Sequence, residues 1–108
     1  MSSKNVRLAG PALLTGTAAT KYTTPASTVT VLQHIHVENP SGAPVTFTMS
    51  IGTDAAGTRI YDAYSIGAGQ VLDTFCKYVL AAGEIIQAFA GTTNTMTLTL
   101  DGQELSPG

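Results

Sequence analysis

The residues best suited to chemistry in this chain are two histidines and a glutamate at alternate positions, His34, His36 and Glu38. Alternate residues of a β-strand point to the same face about 6.5 to 7 Å apart, so these side chains share one face of one strand. Two such imidazoles can bind one metal ion if the strand curves. A protein site needs further ligands, and because the sequence has no third histidine, the ion would have to recruit an aspartate or water. We therefore expect no metal site and no cofactor, and we interpret both histidines as part of a solvent-facing or subunit-facing surface.

Other reactive side chains form no catalytic pattern. Cys76 has apolar and aromatic neighbours and no base close in sequence, so we interpret it as a small buried hydrophobic residue. Asp62 and Asp73 lie on neighbouring predicted strands and could approach each other as the carboxylate pair of a glycosidase, but the chain has no tryptophan to form a sugar platform. Nucleophile elbows, phosphate loops and dinucleotide fingerprints are absent from the sequence. We predict that the protein is not an enzyme.

The composition is poor in charge. Charged residues make up 11% of the 108 residues, against about 25% in a typical soluble domain, and the net charge is −2. The five basic residues are scattered, which argues against nucleic-acid binding, and no apolar run is long enough to span a membrane. Because charge depletion is typical of interface cores, we expect much of the surface to be covered by copies of this chain or by a larger assembly.

Two alternating runs flank a turn at Asn39-Pro40-Ser41-Gly42. Such alternation is typical of strands with one buried face, so the segment from Thr28 to Ile51 predicts a β-hairpin. In its first strand the odd positions are predicted to face the core and Leu32 to lie on the outer face; the odd residues are Val29, Val31, Ile35 and Val37.

The rest of the chain continues in short strands, predicted at residues 58–65, 70–75, 84–90 and 95–100, with Met96, Leu98 and Leu100 facing inward. Asp101-Gly102 is predicted to be a hairpin turn before a short last strand at 103–105. Seven or eight strands at this spacing indicate an all-β fold, a single antiparallel β-sandwich that is jelly-roll-like.

The first 25 residues show little periodicity and are rich in small and polar residues. We predict an extended N-terminal arm over residues 1–25, anchored by leucines and containing an edge strand from Ala18 to Thr23, followed by the β-sandwich domain over residues 26–108. In an assembly, such an arm would lie on a neighbouring subunit.

Four segments carry a resemblance to a known family: TVTVLQHIHVENPSG, PVTFTMSIG, LAAGEIIQAFAG and TMTLTLDGQEL. In the third segment, Gly83 is expected to supply a positive φ and Glu84 to accept hydrogen bonds from turn amides. Together the segments resemble small β-sandwich structural proteins of tailed bacteriophages, over about residues 22–105. The resemblance implies a virion component without enzymatic activity, of a kind that serves as a capsid decoration protein, a minor tail protein or part of a fibre.

Within that family we favour a capsid decoration protein that binds the assembled shell as a homotrimer. Its partners would be further copies of itself and the major capsid protein, or tail proteins of the same phage. It would be made in the host cytoplasm and located on the capsid surface or, alternatively, on the tail. The alternatives are a minor tail or head–tail connector subunit and a tail-tip receptor- or carbohydrate-binding module in which Tyr61, Tyr64 and Tyr78 form a stacking surface. The candidate interface residues are Leu8, Leu13, Leu14, His34, His36, Tyr61 and Tyr64.

Overall fold

A computed structural model describes residues 2–107, which form eight β-strands and no helix. Among these residues there is accordingly no helix long and apolar enough to cross a membrane. The strands are β1 (Ser2–Leu13), β2 (Ala19–Thr23), β3 (Val29–Glu38), β4 (Val45–Ile51), β5 (Arg59–Ile66), β6 (Val71–Leu80), β7 (Ile85–Ala90) and β8 (Thr97–Ser106).

The strands form two four-stranded antiparallel sheets. Sheet A has the order β1-β8-β3-β6, and sheet B has the order β2-β7-β4-β5. The strands pair first with last, as in one long hairpin: β1–β8, β2–β7, β3–β6 and β4–β5. The pairs alternate between the sheets, so that β1–β8 and β3–β6 lie in sheet A and β2–β7 and β4–β5 lie in sheet B. This is the strand arrangement of a jelly roll. The predicted all-β antiparallel sandwich is confirmed.

The core lies between the two sheets and is built by the period of two along each strand. The alternation predicted for residues 95–100 is confirmed, because Met96, Leu98 and Leu100 are fully buried. Burying a side chain of this size contributes about 1.5–3 kcal/mol. The other large buried apolar side chains are Leu14, Leu32, Ile35, Val37, Phe47, Met49, Leu80 and Ile86.

The predicted hairpin from Thr28 to Ile51 is wrong, because β3 lies in sheet A and β4 in sheet B. The connection between them is an arch that crosses from one sheet to the other. Buried Asn39 holds it: Nδ2 donates to the carbonyl oxygens of Ala43 and Ile66, both at 2.9 Å, and Oδ1 accepts from the Ser41 hydroxyl at 2.7 Å. Alternation identifies the buried face of a strand but does not identify its partner.

A β-bulge in β3 changes which residues face the core. Both ladders of β3 shift register between Leu32 and His34. Thr30 and Leu32 are buried before the bulge, whereas Ile35 and Val37 are buried after it. The prediction is therefore right for the second half of the strand and wrong for the first, since an extra residue inverts the faces. Val29 is exposed and Leu32 is in the core.

The predicted turn at Asp101-Gly102 is also wrong, because β8 runs through it without interruption. A Cβ atom at Gly102 would lie 2.1 Å from the carbonyl oxygen of Val31. Glycine is therefore required here for the close approach of β3 and β8 rather than for a turn. The turn at residues 81–83 is confirmed: Gly83 has φ of 85°, and the amide of Ala81 donates to the Glu84 carboxylate at 2.6 Å.

The segment predicted as an extended arm belongs to both sheets. β1 pairs with β8 from Ser2 to Leu13, and β2 pairs with β7. Of the three leucines predicted as candidate interface residues, Leu8 and Leu14 are buried in the core of this chain, whereas Leu13 is 53% exposed. The contact of this segment with a neighbouring subunit stays a prediction. Met1 and Gly108, which end the two predicted segments, lie outside the described residues.

Candidate functional site

The two histidines meet an aspartate from a neighbouring strand on the outer face of sheet A. His34 and His36 follow the bulge of β3, so they point away from the core residues Ile35 and Val37. In the β3–β6 ladder, His36 is directly opposite Asp73. Because directly opposed residues point to the same side of a sheet, the carboxylate of Asp73 lies beside both imidazoles.

These side chains form a compact cluster, which we call the histidine–aspartate cluster: His34, His36, Asp73 and Asp101. His34 Nε2 hydrogen-bonds Asp73 Oδ1, and His36 Nδ1 lies 3.1 Å from the same oxygen. On the other side of its ring, His34 Nδ1 lies 3.4 Å from Asp101 Oδ2. The ring of Phe75 stacks on His34 with centroids 4.7 Å apart and an interplanar angle of 17°. The His34 ring is thus fixed by a contact on each nitrogen and by one on its face.

The carboxylates set the protonation of the cluster. The hydrogen bond to Asp73 raises the pKa of His34, with burial acting in the opposite direction and Asp101 adding to the rise. Reciprocally, hydrogen bonds from His34 and His36 lower the pKa of Asp73. Arg7 lies 3.9 Å from Asp101 and supplies a further positive charge. His34 therefore keeps its proton to a higher pH than a free histidine does.

An open groove of about 650 Å³ lies beside His34, is lined by residues of all four strands of sheet A, and reaches Cys76. The Cys76 thiol donates to the carbonyl oxygen of Leu32 at 3.6 Å and packs against the core. Burial raises its pKa, so the thiol stays protonated at neutral pH. This is the inert role that its apolar neighbours predict.

Exposed apolar side chains lie on the same outer face of sheet A as the cluster. They form what we call the apolar patch: Val29, Val71, Phe75 and Val79, which are 40%, 51%, 80% and 62% exposed. The ladder pairs Val79 with Val31, Phe75 with His34 and Val71 with Glu38, which places the β6 residues on the outer face. Sequence analysis missed the patch. The available signal was Asp73, which alternates with Val71 and Phe75 and marks their face as the exposed one.

The three tyrosines of the predicted stacking surface lie at the edge where β5 and β6 meet. Tyr61 packs against Phe47 with ring centroids 5.7 Å apart, and Tyr64 meets Tyr61 edge-on at 5.6 Å. Burial raises the pKa of Tyr61. Tyr64 is 48% exposed and Tyr78 is 36% exposed. Because Tyr61 is partly buried against the core, only Tyr64 and the exposed part of Tyr78 are accessible for the predicted stacking.

The structure separates Asp62 from Asp73, whose approach as a glycosidase pair the sequence leaves open but does not favour. Asp62 belongs to sheet B, where it accepts a hydrogen bond from Arg59 at 2.9 Å, and Asp73 belongs to sheet A. The two carboxylates belong to different layers of the sandwich and do not form a glycosidase pair.

No family model and no curated protein matches this sequence. Among solved structures, the chain is similar in shape to a chain in the structure of infectious bursal disease virus Gt strain, with a TM-score of 0.45 and 11% sequence identity. The alignment covers 95% of this chain but only 32% of the viral chain, so this chain spans about a third of that protein's length. At this level of similarity, no function or partner is transferred.

Proposed function

We propose that this chain is a non-enzymatic structural protein of a bacteriophage virion, a capsid decoration protein that binds the assembled shell as a homo-oligomer. The observation that carries the proposal is the apolar patch on the outer face of sheet A. The sequence resemblance to tailed-phage β-sandwich proteins supports the class. Low charge supports a protein whose surface is largely covered in its working state.

The apolar patch has the properties of an interface core. Phe75 is 80% exposed although it is the largest apolar side chain of β6, and Val79 is 62% exposed on the same face. Removing apolar surface from water contributes roughly 25 cal/mol per Å², so contact with a partner is favourable. Aromatic side chains are enriched at the centres of such interfaces.

β6 is also an edge strand. Within residues 2–107 it pairs with β3 on one side only, over ten residues. The other side presents backbone N–H and C=O groups, which proteins usually protect when they occur next to exposed apolar residues. A ring of sister subunits would cover these edges, and closed cyclic symmetry leaves no edge free. A homotrimer satisfies this requirement.

The mechanism is mass action. A protein that binds the assembled shell but not free shell subunits stabilises the assembled state by an amount that grows with its concentration relative to its Kd. This activity needs a contact surface and no catalytic group.

Titration of purified capsids with the purified chain tests the proposal, with binding followed by co-sedimentation. Binding should saturate at a fixed number of copies per capsomer, whereas dissociated shell subunits, the matched control, should bind none. In solution the chain should form a trimer, or an aggregate that resolves on particles. Binding to tail tubes but not to capsids would overturn the decoration role and leave a tail or connector subunit.

The tyrosine edge favours a second candidate, a tail-tip module that binds a receptor or carbohydrate. Tyr64 presents an exposed ring supported edge-on by Tyr61, and sugar faces stack on such rings. Glycan-array binding that is lost in Tyr64→Ala and kept in Phe75→Ser would favour this candidate over capsid decoration.

A further inference from the structure

Three potential metal ligands converge on the outer face of sheet A. His34, His36 and Asp73 each offer one ligand atom, and these atoms lie within 4.8 Å of one another. The two imidazoles come from one strand and the carboxylate from the strand beside it. The aspartate is the ligand that the sequence could not supply, because only the β3–β6 register brings it to the histidines.

One pair of ligand atoms already has the separation that a single ion requires, whereas the widest spacing among the three, up to 4.8 Å, must shorten on binding. Zinc binds imidazole nitrogen at about 2.0–2.1 Å and carboxylate oxygen at about 2.0–2.2 Å, so two ligand atoms of one tetrahedral ion lie about 3.3 Å apart. His36 Nδ1 and Asp73 Oδ1 are separated by 3.1 Å. Asp73 must rotate away from its direct hydrogen bond with His34 to admit the ion. Its side chain is 47% exposed, which leaves room for that rotation.

A second carboxylate holds His34 in the orientation that ligation needs. Metal-binding histidines usually donate their other ring N–H to a carboxylate or carbonyl oxygen. Here Asp101 Oδ2 lies 3.4 Å from His34 Nδ1, on the opposite side of the ring from Asp73. Phe75 stacks on the ring face and limits its rotation. The ligand set and the residues that support it are therefore both present.

We propose that His34 Nε2, His36 Nδ1 and a carboxylate oxygen of Asp73 bind one divalent transition-metal ion of the zinc class, with Asp101 as a positioning residue. Two imidazoles and one carboxylate suit zinc, cobalt, nickel or copper rather than magnesium or calcium, which prefer oxygen ligands. His36 and Asp73 are 38% and 47% exposed, so water completes the coordination. The argument for this site does not rest on the virion role, although the ligands lie on the same face of sheet A as the apolar patch.

Isothermal titration of the chelator-stripped chain with zinc chloride tests the site. Wild type should bind one ion per chain, and magnesium chloride should give no binding. His36→Ala and Asp73→Asn should each weaken zinc binding at least tenfold. Asp101→Asn should weaken it by about 10–100-fold, as loss of an outer-shell partner does. The matched control is Glu38→Gln, which changes a residue of the same face outside the cluster and should bind as wild type does.

Cobalt chloride provides a second measurement that needs no variant. Cobalt bound by two imidazoles and a carboxylate should give visible d–d absorption bands that zinc displaces. Absence of saturable zinc binding by wild type, or equal affinities for wild type, His36→Ala and Asp73→Asn, would overturn the proposal. Thermal unfolding of the metal-free variants shows whether each is folded before its affinity is compared.

Discussion

The outer faces of the two sheets differ in how their side chains are satisfied. On sheet B the polar side chains bind one another. The buried Ser50 hydroxyl donates to Asp54 at 2.8 Å, and Arg59 donates to both oxygens of Asp54, at 2.9 and 3.0 Å. The Arg59 guanidinium lowers the pKa of Asp54, so the pair stays ionised. Gln87 accepts from the Asp54 amide at 2.9 Å.

Sheet A presents the opposite arrangement. Its outer face exposes the apolar patch, and both histidines of that face converge on one carboxylate, that of Asp73. A face whose hydrogen bonds close within the chain needs no partner. A face that combines exposed valines and a phenylalanine with converging ligand atoms gains free energy from a partner or an ion. We therefore assign a scaffold role, the stabilisation of the fold, to the outer face of sheet B, and a contact role, the binding of a partner or an ion, to the outer face of sheet A.

The largest expected effect is on shell binding. The double change Phe75→Asp with Val79→Asp places two charges in the apolar patch and should weaken capsid binding by at least about 30-fold, because two interface anchors that each contribute more than about 1 kcal/mol together contribute more than about 2 kcal/mol. The matched double change on the outer face of sheet B, Thr20→Asp with Ser65→Asp, should leave binding within about threefold, because both residues are exposed and lie opposite outer-face residues of that sheet. Co-sedimentation with capsids measures both. Equal losses in the two variants would remove the distinction between the faces.

The second-largest effect is on stability, and here the change on sheet B should have a larger effect than the change on sheet A. Thr48 is 3% exposed on sheet B, and its hydroxyl accepts from the amide of Ala63 at 3.0 Å. Thr48→Val leaves that amide unpaired and should lower the free energy of unfolding by about 1–2 kcal/mol. Val79→Thr, in the apolar patch, should change it by less than about 0.5 kcal/mol. Urea denaturation measures the free energy of unfolding of both variants, and a larger loss in Val79→Thr than in Thr48→Val would contradict the scaffold role of sheet B.

The smallest effect concerns the hydrogen bonds that connect Tyr22 of sheet B to sheet A, which we call the bridge, and it appears only at alkaline pH. Tyr22 of β2 donates to Glu104 of β8 at 2.5 Å and lies 2.7 Å from the hydroxyl of Thr30. Burial first, and then Glu104, raises the pKa of Tyr22 from 10 to about 12. The neutral phenol is therefore favoured in the folded state. Its contribution is complete below pH 10 and is lost as the pH rises through 12.

Tyr22→Phe should accordingly lose less stability than wild type when the pH is raised from 10 to 12. Melting temperatures at several pH values measure this loss, and Tyr64→Phe, at an exposed tyrosine, is the control that should follow wild type. Shell binding at neutral pH should be unchanged in Tyr22→Phe, since neither outer face is altered. Identical alkaline losses in wild type and Tyr22→Phe would show that the bridge does not hold the sheets together.

Much of the fold could be predicted from the sequence because alternation is a local property. It located the strands near β5, β7 and the start of β8, and it identified the buried side of β8. It could not assign strands to sheets, and so β3 and β4 were predicted to pair. It also could not locate the bulge before His34 or the close approach at Gly102, because both arise from contacts between strands that are distant in sequence.

The same limit applies to the site. That His34 and His36 share one face follows from their spacing, and the structure bears this out. Asp73 and Asp101 reach them from β6 and β8, 37 or more residues later in the chain. Only the register of β3 with β6 and with β8 brings these carboxylates to the histidines. A count of ligands along a single strand therefore omits the ligands that neighbouring strands supply.

An electron cryomicroscopy map of the phage particle that we propose contains this chain tests the assignment of the sheet A face most directly. We expect copies on the capsid shell, with Phe75 and Val79 covered by the shell or by a sister subunit and the outer face of sheet B in solvent. Copies on the shell with the apolar patch exposed to solvent, or copies found only on the tail, would contradict it.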